Sequence, residues 1–369
     1  MGGPLVSVVM PVHNGGPYLA EAVDSIRSQT FEDFEFVIVD DGSTDGTPEF
    51  LDRVSALDQR VRVYTQVRRG LVATLNRACS LARGELLARM DADDIAAAHR
   101  LAAQVARMQS DPGLGVLGGN ITVMKDDGGT IYDVRYPSSD AEIRAILRSS
   151  SAFAHPAVMM RRSAFEHTGG YRSAFADAED YDLWLRFGET SRLGNLPTSV
   201  LRYRFHPGQV SCRRQEQQII STVAAQVAAR LRRDGLSDQL ITGSAPVTLH
   251  ELRAVSSASE ITQLIVAAAA SRALFLASVG DPAGALEILG WASEMNTGER
   301  LSRRGRAQLA LARAAATLQS DRRARGVGSV LQVIGADPAY ACDMFRKAIR
   351  TGYAGFSLEH FRRAVLCLN

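Results

Sequence analysis

The sequence predicts an α/β protein: a doubly wound, mostly parallel sheet flanked by helices, followed by an all-helical C-terminal domain. Three observations carry this expectation. Strand-like and helix-like runs alternate at short spacing through the first ninety or so residues; the strands end in clustered carboxylates; and beyond Gln215 the β-branched runs nearly vanish while Ala, Leu and Arg dominate.

The first half reads in order. Residues 6–12 are a β-branched run, residues 17–28 carry helical periodicity through Leu19, Val23 and Ile26, and residues 34–39 form a second buried-strand run. A helical pattern follows over 48–57, a strand over 61–66, a helix over 71–82 and a strand over 86–90. Strand, helix, strand at this spacing means parallel strands joined by right-handed crossovers, and ligands collect where such strands end. A further helix is expected over 99–110. The pattern then loosens, with Gly-rich turns at 113–119 and 126–129, short strands around Val116, Ile121 and Val158, a helix over 179–187 and a last strand over 200–205. That looser half completes a mixed sheet and is expected to hold the second substrate.

In the tail, GlyAspProAlaGlyAla (280–285) and AlaAspProAlaTyrAla (336–341) each set Asp then Pro before an apolar helical period, which is helix-start chemistry. The tail therefore reads as antiparallel helical hairpins. Two similar starts do not establish a repeat. The expected division is 1–214 for the sheet domain, with halves 1–105 and 106–214, and 215–369 for the helical domain.

The chain has 369 residues, 46% hydrophobic and 22% charged, with a net charge of +2. No dense basic block interleaved with aromatics is present, so nucleic acid is not an expected partner. Cys79, Cys212, Cys342 and Cys367 lie too far apart to suggest a zinc site or a disulfide framework, and a reducing cytoplasm fits them. The N-terminus shows neither a basic leader nor a long apolar run, so no secretion signal is expected. The greasiest stretch, 264–279, contains Arg272 and is shorter than the roughly 20 residues of a spanning helix; it is expected to be a buried helix, with no transmembrane segment.

Chemistry concentrates at strand ends. Residues 86–88 are an apolar strand that stops at Asp91, Asp93 and Asp94. In an extended segment Asp91 and Asp93 project to one side roughly 6.6 Å apart, a spacing that suits a divalent cation or a metal-bound diphosphate; the alternative is a solvated acidic loop. ValValMetProValHisAsn (8–14) reads as a buried strand that stops at Pro11 and leads into a polar turn carrying Asn14. A second strand ends in Asp40 and Asp41, which could accept a base N–H or bond a ribose hydroxyl, or simply begin a turn. At 179–187 the acidic first turn suits the helix dipole, with Asp177 as cap and Asp180 at N3; the competing role for Asp180 is general base at a substrate cleft, with Leu183, Trp184 and Phe187 anchoring the helix. His155 and His206 read individually as surface or capping residues.

Taken together, ValSerValValMetProValHisAsn (6–14), GlnThrPhe (29–31), ValIleValAspAspGlySerThrAsp (37–45), AlaArgGlyGlu (82–85), ArgMetAspAlaAspAsp (89–94), HisPro (155–156), GlyGlyTyr (169–171), GluAspTyrAspLeuTrp (179–184) and TyrArgPheHisProGlyGlnValSer (203–211) resemble, in order and spacing, the glycosyltransferase family 2 enzymes of the GT-A fold. His99 departs from the Pro such enzymes often carry. The resemblance implies an inverting transferase that moves a sugar from a UDP-sugar to a hydroxyl of a saccharide or lipid-linked acceptor, in bacterial cell-surface polysaccharide or glycoconjugate synthesis. It implies that Pro11, Asn14 and Asp41 line the uridine pocket with Asp40 beside them. Asp91 and Asp93 would be the Asp-x-Asp motif, Asp93 the direct ligand of Mn²⁺ or Mg²⁺ and Asp91 facing ribose or donor sugar. Asp180 would be the base, His206 a contact to metal or diphosphate, and Glu179 and Trp184 would shape the acceptor cleft.

Two rivals are set against this. A sugar-phosphate nucleotidyltransferase would carry more glycines after the first strand and a basic residue there. A catalytically silent sheet domain serving a helical interaction module gives no reason to keep Asp41, Asp91, Asp93, Asp180 and His206 together. The tail arginines (Arg300, Arg303, Arg304, Arg306, Arg322, Arg323 and Arg325) read as a solvated face, or as a peripheral contact with the inner face of the membrane if the acceptor is lipid-linked; self-association through the tail is the other reading.

Overall fold

A computed structural model describes residues 3–206, 214–238, 240, 245–295 and 301–319. The chain divides into two compact units, one ending at His206 and the other built from the helices beyond it.

In the first unit, β1 (Val6–Val12), β2 (Phe34–Asp40), β3 (Val61–Thr65) and β4 (Leu86–Arg89) are the four strands expected, interleaved with α1 (Leu19–Arg27), α2 (Thr47–Leu57) and α3 (Leu71–Leu81). All four are parallel in the order β3-β2-β1-β4. Every residue of β1 and β2 is buried, as continuous apolar runs between covered faces must be. Their polar exceptions satisfy each other: Ser7 Oγ donates to Glu35 (2.7 Å), whose carboxylate also takes Arg62 Nη1 (2.6 Å) and the Arg83 N–H (2.6 Å). β1 does not stop at Pro11 but runs to Val12. The missing N–H is tolerated there because β4 pairs no further than Val9, leaving Pro11 with β2 alone as neighbour.

The remaining strands are β5 (Ile95–Ala96), β6 (Leu114–Met124), β7 (Thr130–Val134), β8 (Met159–Arg161) and β9 (Arg192–Arg204), with α4 (Arg100–Ser110), α5 (Asp140–Leu147), α6 (Arg162–His167) and α7 (Glu179–Thr190). The sheet continues β4-β8-β6-β9-β5, with β7 on β6. β8 is antiparallel to both neighbours, and β6 and β9 are parallel to each other.

Here the expectations need correction. The two short strands around Val116 and Ile121 are one 11-residue strand. The last strand begins at Arg192, eight residues before position 200, and β7, α5 and α6 were not anticipated. Gly118 and Gly119, which suggest a turn, instead let β6 approach its neighbours: a Cβ on Gly118 would meet Phe153 at 2.8 Å and one on Gly119 would meet Val200 at 2.8 Å. α5 did have a signal, since Ser139 caps it by accepting from the Glu142 N–H (3.4 Å) and its hydroxyl donates to the Glu142 carboxylate (2.6 Å).

The second unit contains α8 (Gln215–Arg233), α9 (Leu249–Val255), α10 (Ala258–Ser278), α11 (Pro282–Glu294) and α12 (Arg303–Gln319) among the described residues. Its helix starts are as the sequence indicates: Asp281 accepts from the Gly284 N–H (2.9 Å) with Pro282 at N1, and Thr248 with Glu251 forms a capping box. The parallel start at Asp337 and Pro338 lies outside the described residues, as do Arg300, Arg322, Arg323, Arg325, Cys212, Cys342 and Cys367. The greasy stretch belongs to a helix longer than its sequence window. α10 has 21 residues, long and apolar enough to cross a membrane by length and composition, and half of its most apolar window is buried. Ile261, Ile265, Val266, Ala269 and Ala273 are among its buried residues, and α10 packs with α11, α12 and α8.

Candidate active site

The parallel registers Val12↔Asp40 and Val9↔Arg89 align the carboxyl ends of β1, β2 and β4 along one edge of the sheet. The loops leaving that edge are tied together. Asn14 adopts a left-handed backbone (φ 51), donates its N–H to Ser43 Oγ (2.8 Å) and accepts the Thr44 N–H on its side chain (2.8 Å). Asp40 accepts the Ser43 N–H on Oδ1 (3.0 Å), while its buried Oδ2 has no hydrogen-bond partner among the described residues. Asp41 accepts from Gln66 Nε2 (2.7 Å) and from the N–H groups of Arg69 (2.7 Å) and Gly70 (2.8 Å). Burial pushes its carboxyl up, but these donors outweigh burial and hold it below the usual range. Gly70 takes φ 85, the left-handed backbone that brings its N–H onto Asp41 as α3 begins. Asp41 is thus an ionised acceptor with most of its lone pairs already engaged.

The acidic strand end has a different geometry from the extended segment assumed from its spacing. β4 stops at Arg89, and Ala92 and Asp93 form a turn. That turn brings ligand atoms of Asp91, Asp93 and Asp94 within 4.8 Å of one another. Asp94, wholly buried, accepts the Arg204 N–H (2.8 Å) on Oδ1 and leaves Oδ2 unpartnered among the described residues. Burial and then Asp93 and Asp91 push its carboxyl well above the usual range; burial also raises Asp91, against the pull of Arg89.

From the end of β9, Arg204 braces this turn. Its Nε donates to the Asp93 carbonyl (2.9 Å), its Nη1 to the Asp126 carbonyl (2.7 Å), and its guanidinium lies 4.5 Å from the Tyr18 ring centroid. His206 follows two residues on, with Nε2 3.0 Å from Asp93 Oδ2 and its ring 5.0 Å from that of Tyr18.

α7 carries the second group of carboxyls. Asp177 does not cap it: Ala178 is the N-cap, Asp177 has φ 70, and Asp180 falls at the second helical position rather than the third. Asp182, one turn in, is wholly buried between two arginines. It accepts from Arg172 Nε (2.9 Å) and Arg186 Nε (3.0 Å), and Arg186 also donates to the carbonyls of Thr168 (2.6 Å) and Gly170 (2.8 Å). The GlyGlyTyr segment is thereby fastened to α7, and Asn76 holds it to α3 through the Tyr171 carbonyl (2.8 Å) and N–H (3.0 Å).

Glu179 is 4% exposed, and burial together with the charge of Asp180 pushes its carboxyl up to about 8. Asp180 is half-buried; burial raises its carboxyl, Arg89 counteracts this and Asp91 adds to it. Asp180 therefore senses the charge of Asp91. Trp184 is wholly buried against Phe153 (5.5 Å), His155 (5.9 Å) and Phe187 (6.0 Å). His155 Nε2 lies 2.8 Å from the Tyr171 hydroxyl, and burial and Arg89 push its imidazole well below the usual range, so it is neutral.

The sequence reading did not assign roles to Arg89, Asp94, Arg204 or Asp182. Asp94 stood in the acidic run and was passed over because an extended strand sends it to the other side. Arg204 acts on partners 110 and 111 positions away, while Arg89 and Asp182 pair with near neighbours whose burial only the fold reveals.

The three carboxylates of the turn offer hard oxygen donors at one point, and the unpartnered Asp94 Oδ2 leaves an acceptor free, so these residues fit Mn²⁺ or Mg²⁺.

A parallel sheet whose strand ends gather an Asp pair, an acidic turn and a helix-borne carboxyl defines a class, the α/β transferases that work at such an edge. Residues 7–169 match the family model described as glycosyl transferase family 2. The O-antigen biosynthesis glycosyltransferase WbnJ of Escherichia coli is 35% identical over 207 residues, 55% of this chain and 80% of that protein. The glycosyltransferase GlyG of Streptococcus pneumoniae is 36% identical over 131 residues, 35% of this chain and 44% of that protein. The chain belongs to glycosyl transferase family 2 and is a glycosyltransferase. Its fold is similar to that of S. aureus TarS 1-349 solved in complex with UDP-GlcNAc, with a TM-score of 0.50 over 92% of this chain and 91% of that one at 17% identity.

Proposed function

We propose that the protein transfers a sugar, with inversion, from a UDP-sugar to a hydroxyl of a saccharide or lipid-linked acceptor in the synthesis of a bacterial surface polysaccharide. The observation that carries this reading is the acidic turn of Asp91, Asp93 and Asp94 at the end of β4, with Asp180 of α7 close enough to feel the charge of Asp91. Likeness to WbnJ supports the polysaccharide assignment, and the UDP-GlcNAc complex of TarS supports a uridine nucleotide donor.

Asp41, ionised and backed by the Gly70 turn, would accept the base N–H beside Pro11, Asn14 and Asp40. Mn²⁺ or Mg²⁺ held by Asp93 with Asp91 and Asp94 would stabilise charge on the departing diphosphate. His206, on Asp93, would orient that ligand or meet the diphosphate. From the far side of the anomeric carbon, Asp180 accepts the acceptor hydroxyl's proton as the new C–O bond forms. Even with its carboxyl raised by burial, Asp180 is far too weak a base to deprotonate an alcohol beforehand, so proton transfer accompanies attack, help worth about 10²–10⁴ in rate. Glu179 and the Trp184 wall border the acceptor side. We place the enzyme in the cytoplasm at the inner face of the membrane, a reading supported by the exposed Arg303, Arg304 and Arg306 of α12.

The test is UDP release from UDP-sugars with and without Mn²⁺. Asp180→Asn is expected to bind UDP like the parent and lose transfer at least about 100-fold. Transfer by this variant at the parent rate under saturating donor overturns the assignment.

A further inference from the structure

We propose that Arg89 is a positioning residue for sugar transfer: from the buried end of β4 it fixes Asp91 by an ion pair and sets one immobile positive charge before Asp180, aligning the donor-side carboxylate with the base. This deepens the reading above and rests on Asp180 being that base.

Two buried arginines make the contrast. Arg100, wholly buried, is a structural residue with its donors matched: Nε to Gln104 (3.1 Å), Nη2 to the carbonyls of Arg89 (2.7 Å) and Val158 (3.2 Å), and Nη1 to Met90 Sδ (3.5 Å). Arg89 is 2% exposed, and its guanidinium is ion-paired with Asp91 while Nε has no hydrogen-bond partner among the described residues. Its backbone is locked, the N–H donating to the Val158 carbonyl (3.0 Å) and the carbonyl accepting from Arg100 (2.7 Å). A guanidinium has five donors, and burying it with so few met is costly unless the charge has another use.

That use is written in its surroundings. Asp91 pairs with it directly, while Glu179 and Asp180 come from α7, and the Arg89 charge favours the ionised form of these two. Glu179 Oε2 and Asp94 Oδ2 are also buried without partners among the described residues. Carboxylates from two distant segments thus share one fixed cation. Without it, the acidic turn and the start of α7 repel one another, and Asp180 loses a positive charge that favours its acceptor form.

The experiment compares Arg89→Lys and Arg89→Met, each alone and combined with Asp180→Asn, by steady-state kinetics at saturating acceptor, calorimetric binding of UDP with Mn²⁺, and thermal melting. Arg89→Met is expected to lower kcat at least about 100-fold, with a smaller change in donor KM, and to lower the residual rate less than twofold once Asp180 is Asn. Arg89→Lys keeps the charge without the planar fork and is expected within about tenfold of the parent kcat. A folded Arg89→Met within twofold of the parent, a Lys variant as impaired as the Met variant, or an equal effect of Arg89→Met in both backgrounds overturns the proposal. If Arg89→Met fails to fold, the Lys variant decides: a parent-like melt with a 100-fold loss of kcat overturns it, and a loss within tenfold supports it. Full transfer by Asp180→Asn alone overturns the base assignment and this proposal together; a dead Asp180→Asn beside an unaffected Arg89→Met overturns this proposal only.

Discussion

Replacing Asp182 by Ala removes a wholly buried carboxylate that two arginines share inside the first unit. Asp182 is wholly buried, Arg186 is 7% exposed, and Asp182 Oδ2 takes Arg186 Nε (3.0 Å), Arg186 Nη2 (2.8 Å) and Arg172 Nε (2.9 Å). Arg186 would keep its bonds to the Thr168 and Gly170 carbonyls but lose its counter-charge. Breaking a buried pair by removing one partner costs about 3–5 kcal/mol, because the remaining charge stays desolvated. Here two guanidinium groups are left behind, so the upper half of that range applies. Against a stability of roughly 5–15 kcal/mol and about 2–4 °C per kcal/mol for a unit of this size, the melting point should fall by roughly 8–20 °C. Trp184 and Trp291 are the two tryptophans of the chain, so in a Trp291→Phe background the fluorescence of Trp184 reports the sheet unit alone. The same variant should lose transfer below its melting point, since Asp180 lies on the helix that the clamp fastens. A loss under about 1 kcal/mol, or unchanged transfer, refutes the clamp.

Three further outcomes follow from the geometry. Glu179 keeps its proton in the folded state up to about 8, against 4.5 for the free group, so the folded form binds the extra proton across that window and stability falls as pH rises through it; Glu179→Gln should flatten this slope, with a gain over the parent of a few kcal/mol at about pH 9 relative to about pH 5, read by urea titration. Asp93→Ala should abolish the Mn²⁺-dependent part of UDP binding in calorimetry while leaving the melting point nearly unchanged, and Mn²⁺ enhancement equal to the parent's would exclude Asp93 as a ligand. Gly119→Ala sets a Cβ 2.8 Å from Val200 in the middle of the sheet and should cost about 1–3 kcal/mol by denaturant unfolding, a neutral result arguing against the close strand approach.

The readable part of the fold is the part with uniform rules. β1 to β4 are buried on both faces and separated by amphipathic helices, so apolar runs and 3.6-residue periods located them within a residue or two. Beyond Ser110 that regularity fails. β6 contains three glycines because it is pressed against β9 and Phe153, and a glycine chosen for closeness has the same letter as one chosen for a turn. The site divides the same way. Asp41, Asp91, Asp93 and Asp180 are visible as carboxylates at element ends, but the Asp177 cap and the extended Asp-x-Asp spacing were local rules that the surrounding structure overrode.

By itself, then, the sequence determined the first four strands and their parallel crossovers, the acidic character of the sheet edge and the change to a helical second unit, all of which follow from short-range patterns of burial and helix-start chemistry. Only the tertiary structure decided that Asp94 joins the acidic turn, that Arg204 braces it from β9, that Asp182 clamps α7 and that Arg89 is buried in an ion pair with Asp91. Arg204 reaches Asp94 across 110 residues, and even the contacts between near neighbours draw their strength from burial, which removes the water that would otherwise screen them.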